Sequence, residues 1–159
     1  MLLNVSTLYS VVGTGHAIMD FVVHVPESEV YRLGGNLGAV QLIDDCYCST
    51  LKKKLKKKKF FQKECVLPGG SCANTLRGIS WLRENMCSDQ RQPFFAGIVA
   101  RDPEGYSYQY HLKQEGVISG IHHSDGHTAS SIVMVTPDGE RTMFTSLAVS
   151  TKYEKYTVP

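Results

Sequence analysis

A proline, two glycines and a serine in succession, Pro68-Gly69-Gly70-Ser71, separate a run of β-forming residues from a run with helical apolar spacing. Upstream, Phe60 to Leu67 reads as extended chain. Downstream, Ala73, Leu76, Ile79 or Ser80, and Leu82 recur at three- and four-residue intervals, the period of a helix with one buried face. A strand that turns directly into a helix is the repeating step of an α/β domain, so this junction restricts the fold more than any other feature. Two glycines there leave the backbone open to a ligand, and the free N–H groups of the first helical turn point toward it. Ser71 is expected to cap the helix, and Asn74 adds a further donor. Read locally, the same residues also describe an ordinary glycine turn with a serine cap.

The rest of the chain alternates in the same way. Leu8 to Thr14 and Phe21 to Val25 read as strands, the second ended by Pro26. Ser28 to Leu33 reads as a short helix closed by Gly34-Gly35, and Ala39 to Ile43 as a short strand. Asp44-Asp45 then caps a helix whose Leu51 and Leu55 face inward. Beyond the glycine junction, Pro93 to Val99 is a strand, Pro103 to Gln114 a helix begun by proline, and Val117 to Ile121 a strand, giving a β-α-β-α-β run from residue 60 onward. Thr128 to Thr136 and Arg141 to Val149 flank Pro137-Asp138-Gly139-Glu140, a tight-turn sequence that predicts an antiparallel hairpin. The fold class is therefore α/β, with a Rossmann-like central sheet flanked by helices and a small β-sheet lid drawn from segments near 21–25, 39–43, 60–67 and 128–147.

Charge and cysteine usage narrow the partners. The seven lysines of 52–54 and 56–59 exceed the whole net charge of +2, so the remainder of the 159-residue chain is acidic. That excludes a distributed basic surface for nucleic acid, and the lysine run reads as a solvated helix face. Apolar stretches such as Phe94 to Ala100 fall far short of the roughly 20 residues of a membrane span. Met1 to Val12 lacks the basic flank and cleavage site of a secretory leader. Five cysteines, an odd number, point to reduced thiols and a cytoplasmic setting. Cys46, Cys48, Cys65 and Cys72 lack zinc-knuckle spacing, and His122, His123 and His127 lack a second ligand cluster, so no metal site is expected.

A second motif lies in Gly13-Thr14-Gly15-His16-Ala17-Ile18-Met19-Asp20. Ile18 at the third glycine position, followed by a strand, argues against a dinucleotide fingerprint. The acid just beyond the strand suits hydrogen bonds from a vicinal diol. The Gly-x-x-x-x-Asp strand end, the Gly-Gly-Ser-x-x-Asn junction, Ala96-Gly97-Ile98-Val99-Ala100-Arg101-Asp102-Pro103-Glu104-Gly105 and Thr136-Pro137-Asp138-Gly139-Glu140-Arg141-Thr142 follow one another in order. Together they resemble the N-terminal half of the ribokinase-like (PfkB) carbohydrate and nucleoside kinases, and the Asn74-Thr75 and 39–45 segments resemble adenosine kinases and their bacterial relatives most.

The resemblance implies an ATP-dependent, Mg²⁺-using kinase that phosphorylates a primary hydroxyl of adenosine or a related nucleoside or sugar, with this chain supplying the acceptor half-site and lid. It implies that Asp20 binds the ribose hydroxyls, that Gly69, Gly70 and Ser71 line the sugar, and that Asn74 hydrogen-bonds it. Gln41 and Ile43 would flank the base, Ser131 and Met143 would close over the substrate, and Arg141 would approach the transferred phosphate. His16, also placed among the substrate-binding residues as a donor of one hydrogen bond, stands where many relatives carry Asn, which loosens the assignment to adenosine. The family's Asp-Thr-x-Gly-Ala-Gly-Asp element, with its anion hole and general base, has no counterpart in residues 1–159. The ATP-binding half is thus expected to be absent, and the chain by itself to be inactive. The alternatives are a ribose- or fructose-type kinase and a non-catalytic binding or regulatory protein, with an unpaired edge of the lid sheet as a route to a homo-oligomer.

Overall fold

The computed structural model of the protein describes residues 9–58, 61–86 and 91–152. The elements run β1 (Val12–Thr14), β2 (Ile18–His24), α1 (Glu27–Arg32), β3 (Val40–Leu42), α2 (Asp45–Lys57), β4 (Phe61–Gly69), α3 (Ser71–Met86), β5 (Phe94–Ala100), α4 (Pro103–Gln114), β6 (Ile118–Ser124), β7 (Ala129–Val135) and β8 (Arg141–Ser146), with a 3₁₀ turn at Ala148–Thr151. Local chemistry explains the helix starts. Asp44 Oδ1 accepts from the Tyr47 N–H at 2.7 Å and caps α2. Asp102 Oδ1 accepts from the Gly105 N–H at 2.8 Å and caps α4, with Pro103 at the first helical position.

Two sheets share these strands. The first is parallel, in the order β1-β5-β6. The second has five strands, ordered β3-β8-β7-β2-β4, with β2 parallel to β7, β3 parallel to β8, and antiparallel pairing of β2 with β4 and β7 with β8. The segments 21–25, 39–43 and 128–147 contribute β2, β3, β7 and β8 to this second sheet, and 61–67 contributes to β4. The Pro-Asp-Gly-Glu turn closes the β7–β8 hairpin as its sequence predicts.

The β-α-β-α-β order expected from residue 60 is present as β4-α3-β5-α4-β6, with β4 antiparallel to β2 in the five-stranded sheet and β5 and β6 in the parallel one. Two expectations need correction. The third strand of that run extends to Ser124, since β6 lies along the whole of β5. In the first strand, Leu8 lies outside the described residues, and ladder pairing with β5 covers only Val12–Thr14.

Packing follows the alternation of each strand. Residues in register share a face, so Met19, Phe21 and Val23 of β2 lie with Ser130, Ile132 and Met134 of β7 and with Thr142, Phe144 and Ser146 of β8. This face carries the core. Val23, Ile132, Met134 and Phe144 cluster with Val30 and Leu33 of the α1 region and with Cys48, Leu51 and Leu55 of α2. Met19 and Phe21 join a second cluster with Ala73 and Leu76 of α3, Phe95 and Val99 of β5, and Tyr108 and Leu112 of α4, which ties the two sheets together. The opposite face holds Asp20, Val22, Ser131, Val133, Met143, Val40 and Leu42, and there Val40 and Leu42 are 63% and 70% exposed. No helix among the described residues is long and apolar enough to cross a membrane.

Candidate functional site

The site gathers where β2 and β4 run side by side and the chain turns from β4 into α3. Asp20 faces Leu67 across the β2–β4 ladder and Ser131 across the β2–β7 ladder. Its carboxylate lies flat against Gly69: a Cβ at that position would occupy the space of the Asp20 oxygens. Gly70 has φ of +94°, and a Cβ there would collide with the His16 carbonyl oxygen. Both glycines are thus required, one for the approach of a carboxylate and the other for the left-handed turn into α3. Tyr108, fully buried on α4, donates its hydroxyl to the Gly69 carbonyl at 2.9 Å and fixes the turn from below.

The Gly70 carbonyl accepts the first helical bond, from the Asn74 N–H at 3.0 Å. Gly70 therefore takes the capping position and Ser71 is the first residue of α3, so the helix begins one place earlier than the sequence predicts. Ser71 and Asn74 are exposed on the first turn. The Asn74 Oδ1 accepts from Arg77 Nη1 at 2.9 Å, and the same nitrogen donates to the Pro68 carbonyl at 2.9 Å. Arg77 Nε donates to the Glu115 carboxylate beyond α4.

Burial pushes the Asp20 carboxyl up to about 6, against the opposing pull of the Arg77 guanidinium. Burial also raises the Tyr108 hydroxyl above its ordinary range, reinforced by the charge of Asp20, so the tyrosine stays a neutral donor. The junction accordingly presents one poorly solvated acceptor, Asp20, beside a helix N-terminus and an exposed amide. That set suits a neutral, hydroxyl-bearing ligand.

Asp20, Gly69, Gly70, Ser71 and Asn74 come together as a group. Ser131 lies next to Asp20 but is buried, its hydroxyl 2.8 Å from Thr145 Oγ1. Met143 is on the Asp20 face, one step along, in the row of Val22, Val133 and Val40. Arg141 is on that face too, but four residues along the strands from the Asp20 row, about 13 Å away. Gln41 and Ile43 are not brought to this face. Gln41 is in register with core-facing Phe144 and donates to the Gly34 carbonyl at 3.3 Å, and Ile43 packs against the α2 core. Their neighbours Val40 and Leu42 occupy the Asp20 face instead. The alternation was visible in the sequence, but its phase was not, because only pairing with β8 sets it.

His16 has its backbone carbonyl against Gly70, beside the junction, and its ring against Ser150. Its Nδ1 lies 2.9 Å from Ser150 Oγ and 3.2 Å from the Ser150 carbonyl, tying the β1–β2 crossing to the 3₁₀ turn. His123 is packed rather than clustered, with Nε2 3.0 Å from Gln109 Oε1 and its ring stacked on Tyr106. Cys48 is buried in the α2 core and Cys46 is exposed, while Cys87 and the side chain of Cys65 lie outside the described residues.

A sequence model of the pfkB family of carbohydrate kinases matches residues 42–157. The chain belongs to this family. The match takes in the glycine junction, α3, α4 and the hairpin, while the strand end that carries Asp20 precedes it. Among curated proteins no match is found. Among solved structures, the adenosine kinase of Sinorhizobium meliloti superposes with a TM-score of 0.80 at 27% identity, over 96% of this chain and 43% of its own. The adenosine kinase of Anopheles gambiae gives 0.80 at 20% identity, over 93% and 42%. A probable sugar kinase of Rhizobium etli gives 0.78 at 24% identity, over 95% and 42%. The fold is thus ribokinase-like and similar to that of adenosine kinases, and the chain spans less than half the length of the structures it matches.

Proposed function

We propose that this chain is the acceptor-binding part of an ATP-dependent kinase acting on a primary hydroxyl of adenosine or a related nucleoside or sugar. The observation that carries the reading is the Asp20 carboxylate laid on the Gly69 backbone beside the first turn of α3. Asp20 accepts hydrogen bonds from a pair of vicinal hydroxyls, the Asn74 amide donates to one of them, and Gly70 and Ser71 form the floor of the sugar site. Val40, Leu42 and Met143, on the same face of the five-stranded sheet, supply apolar cover for a base. Adenosine is the favoured acceptor because such cover fits a flat ring, and because a similar fold from Schistosoma mansoni is an adenosine kinase in complex with adenosine.

ATP is the donor expected of the family. The described residues do not fit its triphosphate and metal: the N-terminus of α4 is already closed by the Asp102 carboxylate, and no three His, Cys, Asp or Glu side chains converge. No chemical step is therefore assigned to this chain, and its own contribution is to bind and orient the acceptor. The same disagreement favours a second reading, in which the chain binds its ligand without phosphorylating it.

Calorimetry with adenosine and with ribose tests the binding claim. Adenosine should bind more tightly than ribose, and Asp20→Asn should weaken adenosine at least about tenfold, the loss of a charge-assisted hydrogen bond. Equal affinity for the two ligands, or an unaffected Asp20→Asn protein, would remove the nucleoside site. Measured with ATP and Mg²⁺, phosphorylation by the chain alone would overturn the second reading.

A further inference from the structure

Arg77 lies just outside the residues that the acceptor reading uses, yet it touches or biases most of them. Its guanidinium joins three elements: Nη1 donates to the Pro68 carbonyl at the end of β4 and to Asn74 Oδ1 on α3, and Nε donates to Glu115 beyond α4. Its side chain is only 24% exposed, so these are shielded contacts rather than a surface pair. A guanidinium can only donate hydrogen bonds. The oxygen of the Asn74 amide must therefore face Arg77, which leaves the NH₂ group turned outward. Asn74 is exposed, so that NH₂ is available to a ligand.

The same cation acts on Asp20. Among the described residues, the ionisable groups that interact with Asp20 are Arg77 on α3 and Tyr108 on α4. The strand neighbours Leu67 and Ser131 carry none. Arg77 is the cation that offsets the burial of the carboxylate, and Tyr108 remains neutral. One side chain thus turns the exposed amide into a donor on the helix turn that follows Gly69, against which the Asp20 carboxylate lies; a donor and an acceptor are the complementary pair that reads two adjacent hydroxyls.

We infer that Arg77 is a positioning residue of the acceptor site, holding Asn74 as a hydrogen-bond donor at the first turn of α3. The inference rests on the acceptor reading for its biological meaning, but its physical content can be tested without any ligand.

The test follows the Asp20 carboxyl through pH by carbon NMR and the Asn74 side-chain amide by nitrogen NMR in the 159-residue chain. Arg77→Met should raise the Asp20 midpoint by about half to one pH unit, the effect of losing a nearby opposite charge. It should also release the Asn74 amide, seen as a shift and faster exchange of its NH₂ resonances. Glu115→Gln removes the same ion pair but leaves the cation, so it should leave the midpoint in place or lower it. A purely structural role predicts the same effect for both variants. Arg77→Lys should restore the Asp20 midpoint but not the amide, since an ammonium does not reproduce the planar fork. In calorimetry, Arg77→Met should weaken adenosine about tenfold at pH 7 and Arg77→Lys less. An unchanged Asn74 amide in Arg77→Met would overturn the assignment. Failure of the unmodified chain to bind adenosine or ribose would instead overturn the acceptor reading, with the two NMR measurements still deciding what Arg77 does.

Discussion

At the scale of single residues, the site is held in a state that costs stability. Asp20 is an acid whose folded form keeps its proton more tightly than the unfolded chain does. Between about pH 4 and about 6 the native state binds more protons than the unfolded state, so stability falls as pH rises through that window and stays lower above it. Asp20→Asn cannot ionise and escapes this loss. Thermal unfolding should therefore show the variant more stable than the parent at pH 7.5, by about 1–2 kcal/mol, and nearly equal at pH 4. A variant no more stable at pH 7.5 than at pH 4, relative to the parent, would show that the carboxylate is not held against its preference. Gain of stability with loss of binding is the signature of a ligand-binding residue.

At the scale of elements, α2 shows how one helix face divides its labour. The lysine run reads as a solvated face, and Lys53, Lys54, Lys56, Lys57 and Lys58 are indeed exposed, Lys58 meeting the buried Glu29 at 3.0 Å. Lys52 is the exception. It turns toward the sheet, donates to Ser130 Oγ at 2.9 Å and sits 3.8 Å over the Phe21 ring, and burial lowers its proton affinity. Lys52→Ala should cost about 1–2 kcal/mol in urea unfolding, through the lost hydrogen bond and cation–π contact, while Lys54→Ala should stay within about 0.5 kcal/mol. Equal effects would return Lys52 to the solvated face. Helical spacing separated Leu51 and Leu55 from the charges, but it could not single out one lysine among seven, because a long flexible stem reaches either water or core.

At the scale of the whole molecule, the two sheets are joined by crossings at 15–17, 69–70 and 125–128 and by the 3₁₀ turn at 148–151, and side chains lock these crossings to one another. Asp102 is the densest lock. Beyond capping α4, its Oδ2 accepts from the Thr128 N–H at 2.8 Å and its Oδ1 accepts from Thr128 Oγ1 at 2.6 Å, while Thr128 Oγ1 lies 2.9 Å from the Ala100 N–H. Asp102→Ala should lower stability by about 2–3 kcal/mol and speed amide exchange at 126–130. Unchanged exchange there would show that the crossing is held by other contacts. The alternation of strands and helices, the cap at Asp44, the proline start of α4, the hairpin turn and the glycine junction were all legible in the chain, because each rests on local sterics and on periodicities of two or about four residues. So was the set Asp20, Gly69, Gly70 and Asn74, through an ordered series of motifs. What only the tertiary structure decided was the phase that puts Val40 and Leu42 rather than Gln41 and Ile43 on the Asp20 face, and the grip of Arg77 on Asn74. These depend on register and on contacts between segments remote in sequence, which no local pattern encodes.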